Sequence, residues 1–480
     1  MLLLATILLP IILGVIASFV KADMPTRKRC YTGILFLTDI LALLSIMEGK
    51  SITPVVFSDN LSLSFTLDGV GKYFLFAIIA IYTCVCFYAY AYMDHEERPN
   101  IFFCFFFISF GALISVAMAA NLITLYFCFE MVTLMTVPLV LHDLTKEAVA
   151  AGLKYLFYSV AGALLGLLAV FFVYHFTTGD ASFVYGGFID TAKVSGHEPL
   201  FLAVIFLGIL GFGTKAGMYP MHGWLPTAHP IAPAPASALL SGIVAKAGVI
   251  AIIRLVYFSV GTELIRGTWV QYTWMSLCLL TIFMGSMMAY REKVMKRRLA
   301  FSTVSQISYI LLGLSFLSEE GLEGGLLHLM GHMFSKGCLF LVAGIFIVQL
   351  GIRKVEDLKG IGKRMPITML CFTAASLSLV GIPPMAGFLS KWYIASAAID
   401  SGLMPFAIIA PVVLLISALL TAGYLLTVVV DAFFPGHEGK EAELKKAEPP
   451  RIMWIPLVFL CAGALLIGIA GPTILTLFGL

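Results

Sequence analysis

Four lysines, Lys215, Lys246, Lys336 and Lys391, stand in the middle of apolar stretches of a 480-residue chain. A charged residue at the centre of a bilayer costs roughly 2.5–3.5 kcal/mol, so four of them cost on the order of 10 kcal/mol. That rivals the whole net stability of a domain. Such amines must be paired, hydrated or partly neutral. Glu130, in the apolar run NLITLYFCFEMVTLMTVPLV, is the natural partner for one of them, and Lys215 is the expected match. Asp39 is a second acid, in an otherwise bland apolar run. A Glu130–Lys215 pair that merely pins two helices leaves three lysines unexplained. A relay explains all four. An amine loses its proton more readily away from water and keeps it beside a carboxylate, so moving that carboxylate's charge switches the amine between holding and releasing. Arginine does not release its proton, and every residue of this set is lysine.

Two histidines join the set. His328, His332 and Lys336 recur at intervals of four in GLLHLMGHMFSKGCLF, which places them on one helix face. Two histidines without a third ligand do not make a metal site. The nine cysteines fall almost entirely in apolar runs without CxxC or cluster spacing, and read as small apolar helix residues. No metal and no cofactor is expected in this chain. Lys215 lies in GFGTKAGMYP and Lys391 ends GIPPMAGFLSK, so each stands beside a Gly/Pro break. An unwound turn survives in a membrane only where it lines a cavity or other protein. His222 and His229, in the segment after the first break, read equally as proton-delivering groups and as loop hydrogen-bonding residues.

These residues are carried by apolar blocks near 2–20, 30–47, 72–93, 101–118, 121–141, 151–175, 200–221, 231–259, 269–290, 299–317, 324–350, 366–396, 404–430 and 453–477. About 20 residues span the hydrocarbon core. The chain is 60% hydrophobic and 12% charged, against about 25% charged in soluble domains. The expected class is an all-α integral membrane protein of about fourteen transmembrane helices, the first a retained span and not a cleaved leader. Assigning alternate connections to two sides puts twenty-one basic residues on one side and four (Lys50, Lys72, Lys193 and Arg266) on the other. The basic side is expected to be cytoplasmic, so both termini face outward. The net charge of +3 is then a topology signal and implies no nucleic acid. Arg254, near the outer end of the eighth block, is expected to snorkel. The seventh and twelfth blocks are five apart and run in opposite directions. Two interrupted helices so opposed point to a transport site between inverted halves. The organisation expected is 1–100 for the first three helices, 101–260 and 265–432 for two inverted five-helix repeats (helices 4–8 and 9–13, broken in helices 7 and 12), and 433–480 for a cytoplasmic linker and the last helix.

The stretches FCFEMVTL, LPTAHPIAPAPASALLSGIVAKAG, KRRLAFSTVSQISYILLG, HLMGHMFSKGCLFL and GIPPMAGFLSKW cover roughly residues 100–400. Together they resemble the antiporter-like subunits of respiratory complex I, energy-converting hydrogenases and Mrp cation/proton antiporters. The resemblance implies a fourteen-helix core with two inverted repeats. It also implies roles: Glu130 and Lys215 as a pair, Lys246 as the central lysine, His328, His332 and Lys336 as a bridge, and Lys391 as the distal relay. The sequence departs from many members at Phe129, where they carry tryptophan. It carries Lys391 where some carry glutamate, and it lacks the long lateral helix of the longest members.

The function expected is a proton-translocating, non-redox subunit of a redox-driven membrane complex, either NADH:quinone oxidoreductase-like or hydrogenase-like. Its partners would be the bilayer, homologous antiporter-like subunits and redox subunits that hold the electron carriers. A sodium/proton antiporter subunit of the Mrp type uses the same residues. A passive scaffold, docking soluble enzymes through the charged segment 432–451, is the alternative of a different class. The location expected is a prokaryotic inner membrane.

Overall fold

The computed structural model describes residues 1–58, 61–435 and 447–480. The helices that matter are α1 (Leu2–Phe19), α2 (Met24–Glu48), α3 (Gly69–Tyr92), α4 (Pro99–Met118), α5 (Leu122–Val140), α6 (Lys146–His175), α7 (Glu198–Ala216) and α8 (Ala234–Val260). They continue as α9 (Trp269–Arg291), α10 (Met295–Ser315), α11 (Glu319–Leu350), α12 (Pro366–Val380), α13 (Ala386–Asp400), α14 (Phe406–Phe433) and α15 (Arg451–Leu477). Among the described residues, twelve helices are long and apolar enough to cross a membrane: α1–α9, α11, α14 and α15. The protein is a multi-pass, all-α integral membrane protein.

The three helices outside that set are the informative ones. α10 has the length of a span but begins with Lys296, Arg297 and Arg298 and carries Ser302, Thr303, Ser305, Gln306 and Ser308 in its middle. It is nevertheless buried almost throughout, packed between α9 and α11. The predicted block 366–396 is two helices, α12 and α13. α12 stops at Gly381, whose φ of +94° suits a residue without a side chain, and the chain restarts after Pro383–Pro384. The predicted block 200–221 likewise ends early. α7 closes at Gly217 (φ +81°) and the chain turns through Pro220 into the short helix Leu225–Ile231.

One element departs from the all-helical expectation. Residues Ile52–Ser58 (β1) and Leu61–Phe65 (β2) form an antiparallel hairpin between α2 and α3. ITPVVFS is rich in β-branched residues and too short to span, so a strand is its better solution.

The helices are layered by burial. Every residue of α8 is enclosed by protein, whereas only a third of the α1, α2, α14 and α15 spans is. An apolar helix with no outward face belongs at the centre of a bundle. α8 also departs from α geometry twice, with π turns at Leu240–Val244 and Val256–Val260. The segment 436–446, which holds Lys440, Lys445, Lys446 and most of the charge once considered for docking, lies outside the described residues.

Candidate functional site

The four lysines sit on α7, α8, α11 and α13. Lys215, Lys246 and Lys336 are no more than 1% exposed, and Lys391 is partly buried. Among the described residues none of the four is within ion-pair distance of a carboxylate. Each amine rests on neutral oxygens instead.

Lys215 occupies the last turn of α7 and donates to Thr133 Oγ1 at 2.5 Å and to the Phe129 carbonyl at 3.4 Å, over the Phe129 ring. The direct Glu130–Lys215 pair expected from sequence is therefore not formed. Helical spacing explains this. Positions 129 and 133 share the α5 face turned toward α7, and Glu130 is rotated by 100° from Phe129. That turns Glu130 toward the edge of the bundle, with Phe127 and Leu134, which are more than half exposed. Glu130 Oε1 is enclosed and without a partner. α7 is held against α8 at Gly248, where a Cβ would come 2.5 Å from the Phe212 carbonyl and 3.2 Å from Lys215 Cβ. Only glycine allows that approach, and it places the Lys215 helix beside the Lys246 helix.

Lys246 folds its amine back onto the Ser241 carbonyl, within the first π turn of α8. π turns recur at functional sites. The Ser241 hydroxyl meets Thr303 Oγ1 of α10 at 2.7 Å. Lys336 reaches α10 as well, donating to the Leu299 carbonyl at 3.0 Å. One turn earlier on α11, His332 is 1% exposed and neither ring nitrogen has a partner. His328 lies 2.8 Å from Ser390 Oγ of α13 through Nδ1 and 3.2 Å from Gln306 Oε1 through Nε2. Tyr309 stacks on His328 with centroids 5.3 Å apart, and Lys391 Nζ sits 5.1 Å from the same tyrosine ring. Lys391 donates to the Leu379 and Val380 carbonyls at 2.6 and 2.8 Å. Those carbonyls belong to the last turn of α12, left without helical partners by the break. The expectation that a buried lysine stands at each break thus acquires a cause at the second one: the amine satisfies the carbonyls that the break exposes.

Several residues were placed differently by sequence. Lys296, tallied among the basic surface residues, is 5% exposed. It donates to the Ala232 carbonyl and, at 3.5 Å, to that of Pro230. It therefore covers the carbonyls at the end of the short helix Leu225–Ile231, just before α8. Beside it, His229 is wholly enclosed, stacked 4.8 Å from the Phe340 ring, with neither ring nitrogen partnered. A loop hydrogen-bonding role does not fit that environment. At the mouth of this corner Glu96 is half-buried; burial first, and then the Asp143 charge, raise its carboxyl above the ordinary range. Arg254 does not snorkel. It is 2% exposed and forms two hydrogen bonds to the carboxylate of Asp68, the residue that caps α3, between the Phe183 and Phe258 rings. Burial alone would raise the Asp68 carboxyl, but the guanidinium outweighs it and holds the carboxyl below the usual range. Asp39 accepts from Thr83 at 2.8 Å. Cys338 and Cys461 approach to 3.5 Å around the Cys371 carbonyl, although these cysteines are far apart in sequence. No metal-holding group of three is present among the described residues.

The residues that sequence reasoning missed are the neutral ones around the amines and His328: Thr133, Ser241, Thr303, Gln306, Tyr309 and Ser390. One signal was available for three of them. The stretch FSTVSQISY places polar side chains through the middle of a helix of spanning length, which is costly unless they face an interior polar seam.

The family model for the transmembrane region of NADH:quinone oxidoreductases and Mrp antiporters matches residues 119–421, well over half of the chain. The chain belongs to this family. The family region runs from the start of α5 into α14 and so contains Glu130, the four buried lysines, His328 and His332. A subunit N of NADH-quinone oxidoreductase from Desulforudis audaxviator is 33% identical over 395 residues, covering 79% of this chain and 76% of that protein. A subunit N of F(420)H(2) dehydrogenase from Methanosarcina mazei is 28% identical over 443 residues, covering 90% and 85%. Among solved structures, a chain of the archaeal membrane-bound sulfane sulfur reductase superposes with a TM-score of 0.84 at 22% identity, covering all of this chain and 96% of its own length. The fold is thus that of an antiporter-like subunit.

Proposed function

We propose that this chain is the proton-translocating, non-redox subunit of a redox-driven membrane complex, relaying protons along Glu130, Lys215, Lys246, His332, His328, Lys336 and Lys391. The observation that carries the reading is that four amines in one bundle rest on carbonyl and hydroxyl oxygens and on no carboxylate. An amine held by neutral acceptors alone is not locked in its charged form. It can exist with or without its proton, as a relay requires.

In this reading α4–α8 and α9–α14 hold the two inverted repeats, with breaks after Lys215 and before Lys391, and both termini face outward. Redox centres and further antiporter-like subunits are partners; this chain needs no cofactor of its own. Energy released in a partner alters the field at Glu130, which lies on the bundle edge where a neighbouring subunit can reach it. Lys215 then gives up its proton toward Lys246, and the charge moves through the α11 stripe to Lys391. Moving one proton against 100 mV costs about 2.3 kcal/mol, within reach of a swing of about two pKa units.

The test is Lys215→Ala in the intact complex, with proton uptake followed in vesicles. Loss of pumping per turnover is expected; undiminished pumping would reject the relay. Pumping that requires sodium would favour cation exchange instead. Full activity after alanine replacement of all four lysines would favour a scaffold.

A further inference from the structure

Lys246 and Lys336 are on different helices, yet both are anchored through α10. Lys246 rests on the Ser241 carbonyl, and Lys336 rests on the Leu299 carbonyl at 3.0 Å. The Ser241 hydroxyl meets the Thr303 hydroxyl at 2.7 Å, and Thr303 Oγ1 donates to that same Leu299 carbonyl at 2.9 Å. Ser241, Thr303, Lys246 and Lys336 are all wholly enclosed. The two hydroxyls therefore tie the carbonyl under one amine to the carbonyl under the other.

We propose that the Ser241–Thr303 hydroxyl pair is a positioning element of the relay, fixing the separation of the Lys246 and Lys336 amines by joining the two backbone carbonyls on which they rest. This rests on the relay reading above. The two amines repel when both are charged, so the distance between them decides how strongly a proton on one empties the other. A loose separation weakens that coupling without removing either lysine. The pair sits where α8 leaves α geometry. A π turn interrupts the regular α ladder at Leu240–Val244, and the tie at Ser241 fixes that turn against α10. Hydroxyl pairs between membrane helices add little to helix association, so a purely structural role predicts a small effect on assembly and none on coupling.

The experiment compares Thr303→Val, Thr303→Ser, Ser241→Ala and Lys246→Met in the complete purified complex, reconstituted in proteoliposomes. Assembly, redox turnover and protons moved per turnover are read for each. Thr303→Val and Ser241→Ala are expected to lower protons per turnover at least twofold, with Thr303→Ser restoring most of the loss. The double variant Ser241→Ala/Thr303→Val should be no worse than either single one, since both break the same tie. Wild-type stoichiometry in Thr303→Val and Ser241→Ala, alongside a Lys246→Met complex that fails to pump, would overturn the positioning role and leave the relay standing. A Lys246→Met complex that pumps normally would overturn the relay and this inference with it. If Thr303→Val does not assemble, Ser241→Ala removes the same bond from α8 and carries the test alone.

Discussion

Replacing Lys336 with methionine separates a functional lysine from a structural one by the sign of its effect on stability. The amine makes a single hydrogen bond, to the Leu299 carbonyl, and that carbonyl keeps a second donor in Thr303. Losing the bond costs about 1 kcal/mol, because a partly satisfied acceptor is left behind and not an orphan. Against this, a lysine at membrane depth carries a penalty of roughly 2.5–3.5 kcal/mol, and methionine nearly matches its length and fills the space. The balance favours the variant by about 1.5–2.5 kcal/mol. Purified Lys336→Met complex should melt at or above the wild-type temperature in a thermal-shift assay, while proton uptake per turnover falls. A structural lysine gives the opposite pair of results: a lower melting temperature with intact pumping. Either half of that opposite result would refute the reasoning.

Three further outcomes follow from the geometry. Asp68→Asn leaves the buried Arg254 guanidinium without a countercharge; breaking such a pair costs about 3 kcal/mol, the low end of its range because Asp68 keeps 35% of its side chain exposed, and thermal unfolding should move down accordingly. Lys296→Met uncovers the carbonyls that end the helix Leu225–Ile231 and removes the charge beside His229, so pumping should fall more than redox turnover in side-by-side vesicle assays. Gly387→Ala would set a Cβ 1.8 Å from the Ser378 carbonyl oxygen, a backbone atom that cannot step aside, so the α12–α13 break should distort and the yield of folded complex drop sharply on size-exclusion chromatography.

The sequence made the lysines legible because a charge inside twenty apolar residues is expensive and therefore conspicuous. It made both breaks legible because glycine and proline announce themselves. What it concealed was the surroundings. Thr133 and Ser241 are ordinary helix residues by type; the packing of α5 on α7 turns the Thr133 hydroxyl into an acceptor, and the π turn of α8 turns the Ser241 carbonyl into one. Glu130 was identified by type, but which face of α5 turns toward α7 is set by packing between helices that no spacing within one helix reveals. Lys296 and Arg254 were misread for the same reason. A basic residue near a helix end looks like a surface anchor until neighbouring segments close over it, as the 230–232 carbonyls do for Lys296 and as Asp68 does for Arg254. The strands 52–58 and 61–65 were hidden because they lie in a connection too short to span.

The central claim is that protons cross the membrane along these buried amines. The most direct measurement is the number of protons taken up per redox turnover by the purified complex in sodium-free proteoliposomes, wild type against Lys246→Met. The account predicts proton uptake by the wild type without sodium, and a lower ratio in the variant. An equal ratio in the two, or a wild-type complex that moves no protons until sodium is added, would contradict it.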